Sequence, residues 1–314
     1  MAMMRLNAKQ VLARHDKALT KKEDFRSLYD EAYEFALPQR NLYDGYYDGG
    51  VQGQKKMNRV FDSTAINSTQ RFANRMQSGI FPPQRKWCRL QPGSDIPQDR
   101  KAEAQAALDV YNDKLFDTLK QSNFDIAIGE FLLDLCVGTA VMLVQPGDDT
   151  NPINFISVPQ FLVAFDEGAN GQVDNVYRRM KLKAESIQRQ WPDAEIPAEL
   201  KNLIDQKPTE EVELVEATVF DPERGDYCYH VIDKRSKTEL VYRRMDHTPW
   251  IVSRYAKVAG ETYGRGPLIT AMPDIKTLNK TLELVLKNAS LSISGVYTAA
   301  DDGVLNPNTV RIMP

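Results

Sequence analysis

The stretch from Tyr263 to Ser294, YGRGPLITAMPDIKTLNKTLELVLKNASLSIS, restricts the possible folds of this chain more than any other. A Gly-Arg-Gly-Pro breaker opens it, and a long helical pattern follows. Ile275, Leu278, Leu282, Val285, Ala289 and Ile293 recur in steps of three and four, which keeps one face of a helix apolar. Asp274, Lys276, Lys280, Glu283 and Lys287 take other positions around it. A helix over 267–294 would be about 42 Å long at a rise of 1.5 Å per residue. That suits a rod that packs against something else, and other copies of the same chain are the expected partner. Gly264, Gly266, Pro267 and Pro273 are the candidate hinge residues. Pro273 leaves two readings open. It bends the helix by removing a backbone donor, or it is the first helical residue after a separate turn over 267–272.

Upstream, residues 7–37 read as one helix with Phe25, Leu28, Tyr29, Ala32, Tyr33 and Ala36 on one face, ended by Pro38. The loop 41–54 has no period, and its Tyr43, Tyr46 and Tyr47 would pack locally, meet a subunit or stack on bases. Ser63 is expected to cap a second helix running to Ser78, with Ile66, Phe72, Ala73 and Met76 inward. After Pro82-Pro83 comes a strand-like piece with Trp87, whose Arg85, Lys86 and Arg89 form either a solvated edge or a phosphate contact. Helices over 99–120, apolar at Leu108, Tyr111, Leu115 and Leu119, and over 123–137 complete a helical first half. From Ala140 onward, strand-like runs separated by tight turns and two short helices predict an antiparallel meander that ends at WIVSRY (250–255). The fold class is therefore α+β: a helical N-terminal half, an antiparallel sheet, then the long helix. The run of short strand pieces after it, to Pro314, is expected to be cut short of its closing elements.

The bulk numbers exclude several classes. Forty Lys and Arg against 43 Asp and Glu give a net charge of −3, without the basic excess of a dedicated nucleic-acid binder. No run reaches the roughly 20 apolar residues of a membrane helix, and the N-terminus has no apolar signal core, so no membrane partner is expected. Cys88, Cys136 and Cys228 show no CxxC spacing and read as reduced thiols. His15, His230 and His247 are too scattered for a metal site. Gly147-Asp148-Asp149 sits between two strand-like runs, as in a two-metal polymerase hairpin. Yet the surrounding Pro146 to Pro152 is dense in turn-formers, and no upstream aspartate motif accompanies it. Gly264-Arg265-Gly266 fits no nucleotide-loop pattern, and there is no GxSxG or HExxH. No catalytic residue, metal or cofactor is expected; the competing readings are a Mg-dependent nucleic-acid enzyme using Asp148 and Asp149, and a structural oligomer held by the long helix alone.

Five stretches, taken in order, carry a resemblance. They are FDSTAINSTQRFANRMQSGIFPPQRKWCRL (61–90), SNFDIAIGEFLLDLCVGTAVMLV (122–144), FISVPQFLVAFDEGANGQVDNVYRR (155–179), PWIVSRYAKVAGETYGRGPLITAMPDIKTLNK (249–280) and DDGVLNP (301–307). Together they resemble the portal, or head-to-tail connector, protein of short-tailed bacteriophages, over about residues 25 to 314. Tyr-Gly-Arg-Gly-Pro with Asp-Ile-Lys-Thr-Leu-Asn is the most specific part. The resemblance implies a homo-oligomeric ring, a dodecamer, at one capsid vertex of the virion, assembled in the host cytoplasm. It also implies a channel through which double-stranded DNA is packaged by a terminase motor and later ejected, with tail or adaptor, capsid and scaffold proteins as further partners. By position, 1–262 resembles the wing, 263–295 the first stem helix and 296–314 the start of the clip, with the second stem helix and crown expected beyond. The stem reading makes Ile275, Leu278, Leu282, Val285, Ala289 and Ile293 packing residues. Lys276, Lys280 and Lys287 are then either channel-facing or salt-bridged to neighbouring helices. A near-neutral wall suits a conduit, because each added basic contact tightens DNA binding through counterion release.

Overall fold

A computed structural model of the chain describes residues 5–40, 59–83, 85–148 and 150–294. The tyrosine loop with Tyr43, Tyr46 and Tyr47, Asp149, and the stretch 296–314 lie outside the described residues. The expected first helix is two helices, α1 (Ala8–Glu23) and α2 (Arg26–Ala36). Asn7 and Gln10 open α1 with a reciprocal capping box, each side chain accepting the other's backbone N–H at 2.9 Å. The break at Asp24 and Phe25 has a tertiary cause. Lys22 is buried, and its ammonium donates to the carbonyls of Gln160 (2.7 Å), Phe161 (2.6 Å) and Val163 (2.9 Å). Burial lowers its pKa well below the ordinary lysine value, while three acceptors offset the desolvation. So α1 is pinned to the sheet, whereas α2 turns Tyr29, Ala32, Tyr33 and Ala36 into the main core.

Next come α3 (Thr64–Ile80), α4 (Lys101–Gln121) and α5 (Phe124–Val137). Ser63 makes no side-chain cap on α3; Asp62 does the capping, accepting the Thr64 N–H at 2.9 Å. The inward face of α3 is Ala65, Thr69 and Ala73, with Phe72 and Met76 half-buried. The Trp87 segment forms no strand. Its backbone is held at Leu90, whose N–H donates to Asn112 of α4 at 2.9 Å, and its indole lies among Phe81, Phe116 and Phe124. Rotation of α4 to make these contacts buries Asn112 and Phe116 and leaves the expected inward residues Tyr111 and Leu115 exposed. In the last turn of α5, buried Asp134 accepts from Tyr33 (3.0 Å) and, at both carboxylate oxygens, from Arg40 (3.2 and 2.8 Å). Desolvation pushes the Asp134 pKa up, against the pull of the Arg40 guanidinium.

The strands follow as β1 (Thr139–Pro146), β2 (Ile153–Val158), β3 (Val163–Glu167) and β4 (Val173–Lys183). Helices α6 (Ala184–Gln190) and α7 (Ala198–Gln206) come before β5 (Glu211–Asp221), β6 (Asp226–Asp233), β7 (Thr238–Met245) and β8 (Trp250–Arg254), and α8 (Pro267–Ser294) ends the described chain. The expected meander is present as an antiparallel five-stranded sheet, β3-β4-β5-β6-β7. FLVAF begins with a 3-10 turn over Gln160–Leu162, so β3 starts only at Val163. The meander also stops one strand earlier than expected. β8 leaves it to join a second sheet, β2-β1-β8, in which Thr139 stands opposite Arg254 and Leu143 opposite Trp250. Alternation explains the transfer. Trp250 places its ring in the main core, where its indole N–H donates to Thr218 of β5 at 3.0 Å and so ties the two sheets together. One face of the large sheet is covered by α1, through Val11, Leu12 and Ala18, and part of the other by α6 and α7, through Ile187, Trp191 and Leu200. The observed class is α+β.

Candidate functional site

The site of interest is the root and shaft of α8, because this helix passes from the core of the chain to open surface. Its root is a three-way backbone junction. Gly266 donates to the Val137 carbonyl at the end of α5 (2.9 Å), Tyr255 to the Gly138 carbonyl (2.8 Å), and Arg265 to the Ala256 carbonyl (2.9 Å). The buried Tyr29 hydroxyl donates to the Gly264 carbonyl at 2.6 Å, and the Gly264 N–H donates to the Thr139 hydroxyl at 2.9 Å. A Cβ on Gly264 would lie 2.4 Å from the Gly138 oxygen, and one on Gly266 2.1 Å from the Cys136 oxygen. Neither position has room for any other residue. Tyr263, fully buried, packs its ring on Phe165 with centroids 4.3 Å apart. Gly264, Gly266 and Pro267 are therefore set in a tightly packed junction between α5, β8 and α8.

From that root α8 continues unbroken through Pro273, so the reading with 267–272 as a separate turn is not what forms. The missing Pro273 donor is accommodated inside the helix, and the next turns carry threonine back-bonds: Thr277 to the Pro273 carbonyl and Thr281 to the Thr277 carbonyl, both 2.8 Å. Leu268 and Met272 are buried and Ile275 half-buried against the main core. The next inward position holds Asn279, buried to 7 % exposure. Its Oδ1 accepts the N–H groups of Phe61 (2.7 Å) and Asp62 (3.2 Å), and its Nδ2 donates to the Arg59 carbonyl (2.9 Å). One amide side chain thus fastens the segment ahead of α3 to α8. Sequence reasoning missed it, because an Asn inside a helix is usually a solvent position. The only local signal was its place in the Leu268, Met272, Ile275 progression.

Beyond Glu283 the helix is exposed on every side. Leu278 (42 %), Val285 (55 %) and Ile293 (87 %) continue the stripe expected for packing, with Leu282 half-buried and Ala289 exposed. A second exposed line holds Lys280, Leu284, Lys287 and Leu291, spaced three and four apart. Of the three lysines, Lys276 pairs with Glu31 of α2 at 2.9 Å, while Lys280 and Lys287 both bond Glu283, the first at 2.9 Å. These two lysines hold the Glu283 carboxyl down at about 2. Between α3 and α8, Ala65, Phe72, Leu268, Ala271, Ile275 and Leu278 line a largely apolar cavity of about 350 Å³.

Within the Gly-Asp-Asp sequence, Asp148 builds a turn: its Oδ1 accepts the N–H groups of Thr150 (3.0 Å) and Asn151 (2.6 Å). Among the described residues, no three His, Cys, Asp or Glu side chains are grouped to hold a metal ion. Cys88, Cys136 and Cys228 are free, and burial pushes the Cys136 thiol up to about 12. No described helix is long and apolar enough to cross a membrane.

Residues 8–314 match the profile of the family described as bacteriophage head to tail connecting protein. The chain is 24% identical over 288 residues to the probable portal protein of Bordetella phage BPP-1, covering 86% of this chain and 50% of that protein. It is 22% identical over 246 residues to the portal protein of Enterobacteria phage T3, covering 75% and 45%. The chain thus spans about half the length of these curated relatives. The match over nearly its whole length, on a fold with a firmly rooted long helix, places this chain in the bacteriophage head to tail connecting protein family.

Proposed function

We propose that the chain is a subunit of a ring, a dodecamer, at the capsid vertex of a phage virion. The ring lines the channel for DNA packaging and ejection and forms the junction between head and tail. Its role is structural rather than enzymatic, as family membership supports. Residues 1–262 serve as wing, 263–295 as first stem helix and 296–314 as start of the clip. The terminase motor, tail or adaptor proteins, capsid and scaffold proteins are its partners, with assembly in the host cytoplasm. Double-stranded DNA passes through the ring without sequence-specific contact.

The observation that carries this reading within the family is the shaft of α8. It leaves a closed core through a glycine junction and then exposes apolar residues on two faces, Leu278, Val285 and Ile293 on one and Leu284 and Leu291 on the other. A helix with two apolar faces outside its own domain is suited to neighbours on both sides. Its lysines are the channel candidates, in weak contact with passing phosphates. Negative-stain images of the purified protein should show rings with a central hole, and particles that never close a ring would overturn the proposal. Replacing Lys276, Lys280 and Lys287 together by Gln should lower packaging efficiency with ring assembly intact. Unchanged packaging removes the channel role of these lysines.

A further inference from the structure

The largely apolar cavity between α3 and α8 exists because small side chains stand where the two helices meet: Ala65 and Ser68 on α3, Ala271 on α8. Leu278 carries its apolar lining outward along the shaft to Leu282 and Val285, on the same face of α8. Among the described residues its only charged lining groups are carboxylates, Asp62 and Asp274; no Lys, Arg or His lines it. Asp62 is spent on Thr64, whose N–H and hydroxyl both donate to it. Asp274 is exposed and makes no ion pair with any described cation. The groove is therefore apolar within and acidic at its rim.

Another side of the same helix has the opposite character. Leu284 is exposed, and Lys280 and Lys287 bracket it one turn to either side. Their shared partner Glu283 is turned inward, 17 % exposed against 61 % and 64 % for the two lysines, so this line presents cations around an apolar ridge. Acid-rimmed groove and lysine-flanked ridge are complementary. At roughly 100° per residue they lie about 150° apart around α8, so no chain can bring its own ridge to its own groove.

We infer that the groove between α3 and α8 of one copy receives Leu284 of the next copy, with Leu291 of that copy, about 10 Å further along, meeting the half-buried Leu282. This rests on the ring reading above and adds which surface meets which. Unlike faces meet, so the contact is heterologous, and because the faces are not diametrically opposed it turns at every step, as a closed ring requires. Burial of the leucines holds the contact, whereas the solvated charges at its rim contribute little energy and select the face. Leu284 lies about 15 Å beyond Asp274 along α8, so the shafts must be inclined to the ring axis for symmetry-related copies to meet in this way.

Two blocked variants of the full chain, followed by analytical ultracentrifugation, test this. Ser68→Trp fills the groove and leaves the ridge, and Leu284→Asp removes the ridge and leaves the groove. Both positions are exposed, so the circular dichroism of each variant should match that of the unmodified chain. Each variant alone should need at least about tenfold more protein to self-associate. Mixed in equal amounts, the two retain one groove and one ridge between them and should form a dimer of one copy of each that grows no further. Either variant self-associating as tightly as the unmodified chain would overturn the contact, as would a mixture that stays monomeric. The ring reading fails separately: a dimer from the mixture without rings from the unmodified chain would keep this contact and remove the ring.

Discussion

Asn279 holds Phe61. Its side-chain oxygen, 2.7 Å from the Phe61 N–H, makes a helix side chain act as the neighbouring strand that residues 59–62 lack. The same amide also reaches Asp62 and Arg59, so three backbone groups depend on one residue. Asn279→Leu keeps the volume and removes every one of these partners. The expected loss of stability is about 1–3 kcal/mol, from buried backbone groups left unpaired. Hydrogen exchange gives the sharper reading: the Phe61 and Asp62 amides should lose protection while those of Leu268 to Met272 keep theirs. Unchanged protection at Phe61 would show that the segment is held by something other than Asn279.

The glycine junction makes an equally local prediction. Gly266→Ala forces a methyl to within 2.1 Å of the Cys136 carbonyl oxygen, which is backbone and cannot swing aside. Overpacking of this kind costs about 1–3 kcal/mol or more, read as a lower urea midpoint. Gly79→Ala, in the last turn of α3 with nothing within 4 Å of the new methyl, should be neutral or stabilising by up to about 1 kcal/mol. If both substitutions behaved alike, close approach would not be the reason for glycine at 266.

Glu283 reports on the lysines around it. Its carboxyl sits at about 2 because Lys287 and Lys280 hydrogen-bond the ionised form. A lowered folded-state pKa means that this interaction is fully present above the unfolded value of about 4.3 and is lost as the pH falls toward 2. Lys280→Gln with Lys287→Gln should return the Glu283 titration, followed by carbon NMR of its side chain, to the ordinary glutamate range. A midpoint still near 2 would mean that some other cation holds it.

His15 supplies an acid sensitivity of the opposite origin. It lies on the buried face of α1, and desolvation lowers its pKa, with the Asp16 carboxylate opposing that shift from 2.9 Å. The folded state therefore prefers the neutral ring. Its contribution to stability is present above about pH 6.5 and is lost as the pH falls from there through the depressed folded value. Urea midpoints measured between pH 7.5 and 5.5 should fall less steeply in His15→Gln than in the unmodified protein. Identical slopes would assign the acid sensitivity to other groups, His230 first among them.

The parts legible in the sequence were those whose signal is local. The steps from Ile275 to Ile293 and the Gly-Arg-Gly-Pro breaker marked α8 to its observed bounds, and the turns after Asp221 and Asp233 marked the hairpins of β5 to β7. The misreadings share a different cause. Nothing near Asp24 breaks a helix; the break belongs to Lys22, whose acceptors lie in the turn before β3. WIVSR reads as one more meander strand, and only the partner that β1 offers on its free edge moves it elsewhere. Periodicity marked Tyr111 as inward, but α4 is rotated by the aromatic cluster around Trp87 and by the bond from Leu90 to Asn112. For the candidate site, the apolar and lysine positions could be read from spacing, whereas Asn279 could not. A polar residue on a buried face is explained only by the backbone it meets.

The transfer of β8 into the sheet of β1 has a consequence for the order in which this molecule can be made. Thr139 cannot meet Arg254, nor Gly138 the residues after β8, until the ribosome has delivered all of the large sheet that lies between them in sequence. Contacts of such long sequence separation are intrinsically late to form. The seat of α8 is therefore among the last parts of the chain to close, and a nascent chain offers no anchored shaft to other chains emerging beside it. If α8 is the ring contact proposed above, premature association through it is thereby delayed until each chain has completed its own interior.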